Sequence, residues 1–180
     1  SVTIRQPAVE GIATVFGARR RGMAVSELVQ EFLRQSNVAY SVFPHMPAYT
    51  AQEEAAVTHI SGRDWAKPVV FYADGEPIMA VVPADMVIDL DQLLLITGAD
   101  RIRLATEDEL AELYPDCEPG AMPPLGPLYD QPVFVDLALA AQPQVVFNGG
   151  THGDAVCMRY DDFAALAKPV VGSFARRPSF

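Results

Sequence analysis

The sequence predicts a mixed α+β domain, and three observations carry that reading. Stretches with apolar residues three and four apart alternate irregularly with short runs of period two. Two of the apolar runs, "PVVFYA" and "IMAVVPA", flank the turn signal "DGEP" and predict a β-hairpin. Hairpins among irregularly spaced helices argue against a doubly wound parallel sheet. At 180 residues, half of them apolar, the chain is long enough for one full core and too apolar for general disorder.

The elements follow in order. Residues 1–22 lack strong periodicity, end in "GARRRG" and read as an extension of only partial order. In "AVSELVQEFLRQS" (24–36), Val25, Leu28, Val29, Phe32 and Leu33 form one stripe, an amphipathic helix with Asn37 as its stop. "VAYSVF" (38–43) alternates as a strand and is closed by Pro44. Thr50 resembles a helix N-cap, with Glu53 completing a capping box for "AQEEAAVTHI" and Gly62 ending that helix. After the hairpin, "DLDQLLLITG" reads as a helix, "RIRLA" as a strand and "TEDELAELY" as a helix with Thr106 and Glu109 as a second capping box. A Pro/Gly-rich loop covers 115–127. "PVFVD", "QVVFNGG" and "DAVCMRY" predict three more strands, and "YDDFAALA" a last short helix. The string "AKPVV" occurs at 66–70 and again at 167–171 with unlike flanks, so it is not a repeat.

Charge and cysteine content exclude several classes. A net charge of −10 disfavours a general nucleic-acid coat, which needs a basic surface. It leaves room for a local contact with one end of an RNA. The positive charge clusters at Arg19–Arg21 and at Arg176–Arg177, which read as solvated tails unless either folds near a pocket mouth. Cys117 and Cys157 have no metal-ligand spacing, and Cys157 sits at a strand position as a small core hydrophobe. No apolar run is long enough for a membrane span, and no leader pattern precedes the first helix, so a cytoplasmic protein is expected.

Standard catalytic signatures are absent: no GxGxxG, no P-loop, no HExxH and no GxSxG. His45, His59 and His152 show no ligand spacing. What remains is local. Lys67, one of only two lysines against eleven arginines, stands at the front of an apolar run. The segment "EPGAMPPLGP" (118–127) can hold a fixed backbone path and present amides to an anion. "FNGGTHGD" (147–154) suits a tight turn or a close ligand approach. Asp136 ends a strand, where a carboxylate can cap the next helix or hold a neighbour. Each has an ordinary structural reading: a snorkelling lysine, plain turns, a solvated histidine.

Taken in order, "YTAQEEAAV", "AKPVVF", "AVVPAD" with "VIDLDQL", "RIRLATEDEL", "EPGAMPPLG", "VFVD" and "VFNGGTH" resemble the YbaK/ProX family of aminoacyl-tRNA deacylases. That family is related to the editing insertion of bacterial prolyl-tRNA synthetases. The resemblance spans about 24–175 and implies an editing domain over 23–175 with a short tail at 176–180. It implies a curved mixed sheet, partly closed and barrel-like, with helices around it. It further implies metal-free, cofactor-free hydrolysis of the ester joining a small, wrongly attached amino acid to a tRNA acceptor end. An aminoacyl-tRNA synthetase is an additional expected partner. The essential lysine of the family maps onto Lys67, and the pocket motif G-x-x-x-P onto Gly120 and Pro124. Met122 and Gly126 fall within that pocket loop, and Thr50 opens the helix beside it. The strand-end aspartate maps onto Asp136, the glycine-rich strand end onto Asn148, Gly149 and Gly150, and His152 resembles a histidine of some branches. The extension and the acidic surface depart from the family pattern. A binding module without turnover and a Schiff-base enzyme using Lys67 stay open as alternatives.

Overall fold

The structure is a computed structural model, and it describes residues 2–4, 25–44 and 61–179. Thr50 and the helix expected over 51–60 lie outside the described residues. Strand β1 (Val2–Ile4) begins the chain. Helix α1 (Glu27–Ser36) follows, with the Ser26 hydroxyl accepting the Val29 amide at its start and Asn37, at φ 59°, ending it. Val29 and Leu33 are buried as the stripe requires, whereas Leu28 is 44% exposed on its margin. Strand β2 is Tyr40–Pro44.

The hairpin forms from β3 (Ala66–Ala73) and β4 (Glu76–Pro83). Asp74 and Gly75 both take positive φ, 50° and 85°, the conformation a two-residue turn needs to match strand twist. The Asp74 carboxylate also accepts the amides of Asp100 and Arg101, so the turn anchors the strand that follows. Next come β5 (Val87–Ile88), α2 (Leu90–Thr97), β6 (Ile102–Leu104) and α3 (Glu107–Leu113). Helix α3 has the reciprocal capping box of Thr106 and Glu109. After a 3₁₀ turn (Gly126–Tyr129), the chain continues through β7 (Val133–Asp136), α4 (Leu137–Ala140), β8 (Gln144–Asn148) and β9 (Asp154–Arg159). It ends with α5 (Tyr160–Ala167), β10 (Val170–Gly172) and β11 (Ala175–Arg176).

The strands sort into three sheets. One is four-stranded, β1-β2-β9-β8, and antiparallel throughout. The second is five-stranded and mixed, β10-β7-β4-β3-β6, with parallel pairs at β10/β7 and β7/β4. The third pairs β11 with β5. A single parallel bridge, Trp65 to Val146, joins the first two among the described residues. Both large sheets have open edges in these pairings, so the expected partial closure into a barrel does not appear.

Strand alternation sets the two faces of the five-stranded sheet. Val70, Met79, Val81, Val133 and Val135 point into the main core, where they meet Val145, Phe147, Val156 and Met158 of the other sheet and Val29, Leu33 and Phe163 of helices. Phe71, Ile78, Ala80, Val82 and Phe134 point the opposite way, onto Leu93 of α2 and Phe174. Cys157, expected in the core, is half-buried and packs against a third apolar cluster of Trp65, Ala84, Val146 and Ala155. No helix among the described residues is long and apolar enough to cross a membrane.

Asp136 fastens this arrangement at one end of the sheet. Its side chain is 3% exposed. One carboxylate oxygen accepts the Ala138 amide at 2.8 Å and caps α4; the other accepts the Phe174 and Ala175 amides at 2.8 and 2.7 Å. Asp136→Ala would strand three amides in or near the core and should lower the unfolding free energy by about 2–4 kcal/mol. Urea denaturation checks this; a loss below ~1 kcal/mol would mean that water replaces the carboxylate without penalty.

Candidate functional site

Lys67 stands two residues into β3, opposite Val82 of β4. Alternation puts it on the face of Val69 and Phe71. Its ammonium donates to the Met86 carbonyl at 2.9 Å, in the turn that leaves β4. That is its one hydrogen bond, and it makes no ion pair among the described residues, so two donors stay open. Burial pushes its pKa below the ordinary lysine value, and the nearby Asp85 carboxylate partly opposes that shift. Asp85 is itself buried at Oδ1 with no hydrogen-bond partner, and its side chain packs against Gly62.

The Pro/Gly loop and the glycine-rich strand end form one assembly. The Gly150 amide donates to the Ala121 carbonyl at 2.9 Å, and the Glu118 amide donates back to the Gly150 carbonyl at 2.7 Å. His152, 4% exposed, shares a 2.8 Å hydrogen bond between Nε2 and the Pro119 carbonyl. A Cβ at Gly120 would sit 3.8 Å from the His152 ring, and Gly120 takes φ +81°. Met122, Pro124 and Gly126 are buried; Met122 joins the main core, and a Cβ at Gly126 would come within 2.2 Å of the Gln131 carbonyl oxygen. Gly149 and Gly150 lie against the start of α1, 2.9 Å from Val25 and Ser26 by the same measure. The Ser26 amide donates to the Gly149 carbonyl at 2.8 Å. Asn148, the last residue of β8, leads into this turn. These small residues are required for close packing, and they hold the loop in one path.

A polar network buttresses the loop from behind, and sequence reasoning missed it. The Ser26 hydroxyl donates to Asp116 at 3.1 Å, and Tyr129 donates to the same carboxylate at 3.2 Å. Tyr129 OH also lies 3.4 Å from the Cys117 sulfur. Burial pushes the Cys117 thiol up to about 12, so it is inert at neutral pH. Tyr114 stacks edge-on against Tyr129 and hydrogen-bonds Gln131 through its hydroxyl. The one legible signal was Ser26 before an apolar helix, an N-cap whose hydroxyl serves a second partner.

The structure thus gathers Gly120, Met122, Pro124, Gly126, Asn148, Gly149, Gly150 and His152 at one end of the main core. It places Lys67 and Asp136 on the opposite face of the five-stranded sheet. Thr50 lies outside the described residues. A small cavity of ≈120 Å³ opens beside the loop, lined by Tyr114, Cys117, Pro119, Gly120 and Met122 among others. A larger groove of ≈870 Å³ runs along Tyr72, Asp74, Leu94 and Arg103 at the hairpin end of the sheet. None of the expected site residues lines it, and its size alone gives it no chemistry.

The aminoacyl-tRNA editing domain family matches residues 45–166. The chain belongs to that family. A proline–tRNA ligase of Nitratidesulfovibrio vulgaris strain DP4 is 31% identical over 106 residues, which cover 59% of this chain and 18% of the ligase. The chain therefore spans under a fifth of that relative's length. The multifunctional Ser/Thr-tRNA deacylase ProXp-y of Escherichia coli K12 is 25% identical, over 87% of this chain and 96% of the deacylase. Two crystal structures share the fold: a hypothetical protein, APE2540, with TM-score 0.75 and 20% identity, covering 83% of this chain and all of that one, and a candidate trans-editing enzyme for prolyl tRNA synthetase, with TM-score 0.71 and 24% identity, covering 83% and 95%.

The buried ammonium has a cost in stability that can be measured. With its native pKa lowered, the folded chain releases the Lys67 proton at a lower pH than the unfolded chain does. Between that value and the ordinary lysine pKa the unfolded state binds more protons, so this group's contribution to stability rises with pH. Below the lowered folded-state pKa its full cost is present. Lys67→Met should therefore be at least as stable as the native chain at pH 7, with the difference shrinking by pH 10. Urea unfolding at the two pH values checks the sign; a clearly destabilised Lys67→Met would assign the lysine a structural role.

Proposed function

We propose that this protein is an aminoacyl-tRNA deacylase that removes a small, wrongly attached amino acid from a tRNA, acting in trans. The observation that carries the reading is Lys67. It lies within the matched editing domain, half-buried, held by one carbonyl and left with two unused donors.

The chemistry asks little of the protein. An aminoacyl ester is already activated. The oxygen of a water molecule adds to the ester carbonyl carbon, the bond to the ribose oxygen breaks, and a proton passes from the water to that oxygen. The products are a free amino acid and a tRNA with its terminal hydroxyl restored. Lys67 supplies a fixed positive charge to the developing oxyanion or to the terminal phosphate. A compact ammonium on a flexible stem suits that place better than an arginine fork, which favours bidentate partners. Asp136 acts as a positioning residue, since all its bonds go to backbone amides.

Two features support a small side chain. The cavity beside Gly120 and Met122 is only ≈120 Å³. The loop around it is tied by short hydrogen bonds on both sides, so it does not open easily. One methylene is worth about 1–3 kcal/mol in such a pocket, so related small amino acids should cross-react.

The test is release of amino acid from a panel of mischarged tRNAs. Small aliphatic or hydroxyl-bearing esters should be hydrolysed and aromatic ones spared. Lys67→Ala should lower kcat/KM by about 10²–10³ with the fold intact, the usual effect of removing one oxyanion donor. Binding of the aminoacyl end without turnover of any ester would leave a binding module in place of an enzyme. Wild-type rates in Lys67→Ala would sink the mechanism.

A further inference from the structure

The C-terminal segment is held more firmly than a solvated tail requires. Phe174 is 1% exposed in the second core. Its amide and that of Ala175 donate to Asp136, and its carbonyl accepts the Asp89 amide at 2.7 Å. These contacts lay Ala175–Arg176 antiparallel on Val87–Ile88, with Arg176 opposite Val87. Val87 directly follows Met86, the residue whose carbonyl holds Lys67. Paired strands keep their Cα atoms about 4.5–5.5 Å apart, which puts the Arg176 Cα within about 12 Å of the Lys67 ammonium.

Arg176 and Arg177 are both exposed. Neither meets a carboxylate at ion-pair distance among the described residues; the one side-chain contact is from Arg176 Nη1 to the Arg177 carbonyl at 3.5 Å. The acids of the neighbouring segments face other groups. Asp89 caps α2 through the amides of Asp91 and Gln92, Asp136 is filled by backbone, and Asp85 faces Lys67. A chain of net charge −10 has acids to spare, yet it leaves two guanidinium groups uncommitted beside its one half-buried lysine.

We propose that Arg176 and Arg177 form, with Lys67, a phosphate-binding edge that grips the backbone of the RNA acceptor end. The inference rests on the deacylase reading for the identity of the RNA. Guanidinium forks match phosphate oxygens in pairs, and a short edge of this kind engages few phosphates, so an acidic protein can hold one RNA end while repelling the rest. Each phosphate contact to a single strand contributes about −0.7 to the slope of log affinity against log salt, so removing two should flatten that slope by about 1.4.

The test uses the full chain, its R176A/R177A variant and its R176K/R177K variant, with melting temperatures to confirm folding. Binding of an uncharged acceptor-stem RNA with a single-stranded 3′ end is followed by fluorescence anisotropy across a salt series. The alanine variant should bind at least fivefold more weakly with a shallower salt slope, and the lysine variant should regain part of the affinity. In turnover, its penalty on mischarged tRNA should exceed its penalty on a minimal aminoacyl-adenosine by fivefold or more. Equal affinity and slope for wild type and R176A/R177A, or no RNA binding by the wild type, would overturn the edge. Equal penalties on both substrates would overturn it as well. Failure of the wild type to hydrolyse any mischarged substrate would instead strike the deacylase reading, since the anisotropy arm reads the edge without turnover.

Discussion

One carboxylate ties the C-terminal segment of this chain to the end of its five-stranded sheet. Asp136 spends one oxygen on the first turn of α4 and the other on two amides of the C-terminal segment. With the β10/β7 pairing and the Asp89 amide on the Phe174 carbonyl, that second oxygen completes the anchor that brings Phe174 under the five-stranded sheet. With it, Phe174 fills the space between Phe134, Val82 and α2, and the chain emerges alongside β5. The same row of the sheet runs through the ends of β7 and β4 to Lys67 on β3. A buried polar group of this kind is stable because every bond it makes is with a backbone donor that would otherwise be orphaned.

Lys67 illustrates the opposite economy. Burial works against its charge, one carbonyl compensates in part, and Asp85 is close enough to favour the ammonium without forming an ion pair with it. The string "AKPVV" recurs around Lys168, where the lysine takes φ 51° and closes α5 as an exposed C-cap. Identical local sequence gives a strand lysine in one place and a left-handed helix stop in the other. What separates them is the sheet that surrounds the first.

Local signals were legible in the sequence and distant ones were not. The Asp74–Gly75 turn, the Thr106–Glu109 capping box, Asn37 and Gly98 as helix stops, and Asp136 as a cap all act within a few residues, where composition and spacing carry the information. Strands β5, β10 and β11 span only two or three residues, and no period can show in so short a run. The network of Ser26, Asp116 and Tyr129 joins residues 90 positions apart and has no sequence signature. Leu28 was misplaced because a stripe of five residues is wider than the face α1 buries. Partial barrel closure came from the resemblance alone, and the pairings give two open sheets instead. Of the site, the lysine and the two glycine-bearing loops were readable as residues; their placement on opposite faces of one sheet was not.

The chain holds only two lysines, Lys67 and Lys168, and that makes its central claim directly observable. With lysine labelled at Cε and Nζ, the protein gives two side-chain signals, one half-buried and one exposed. A non-hydrolysable amide analogue of a small aminoacyl-adenosine is titrated in and both signals are followed by NMR. If Lys67 supplies the charge that meets the substrate, its signal shifts in a saturable manner while that of Lys168 stays in place. A Lys67 signal unmoved at saturating analogue, in a protein that still hydrolyses the matching ester, would contradict the account.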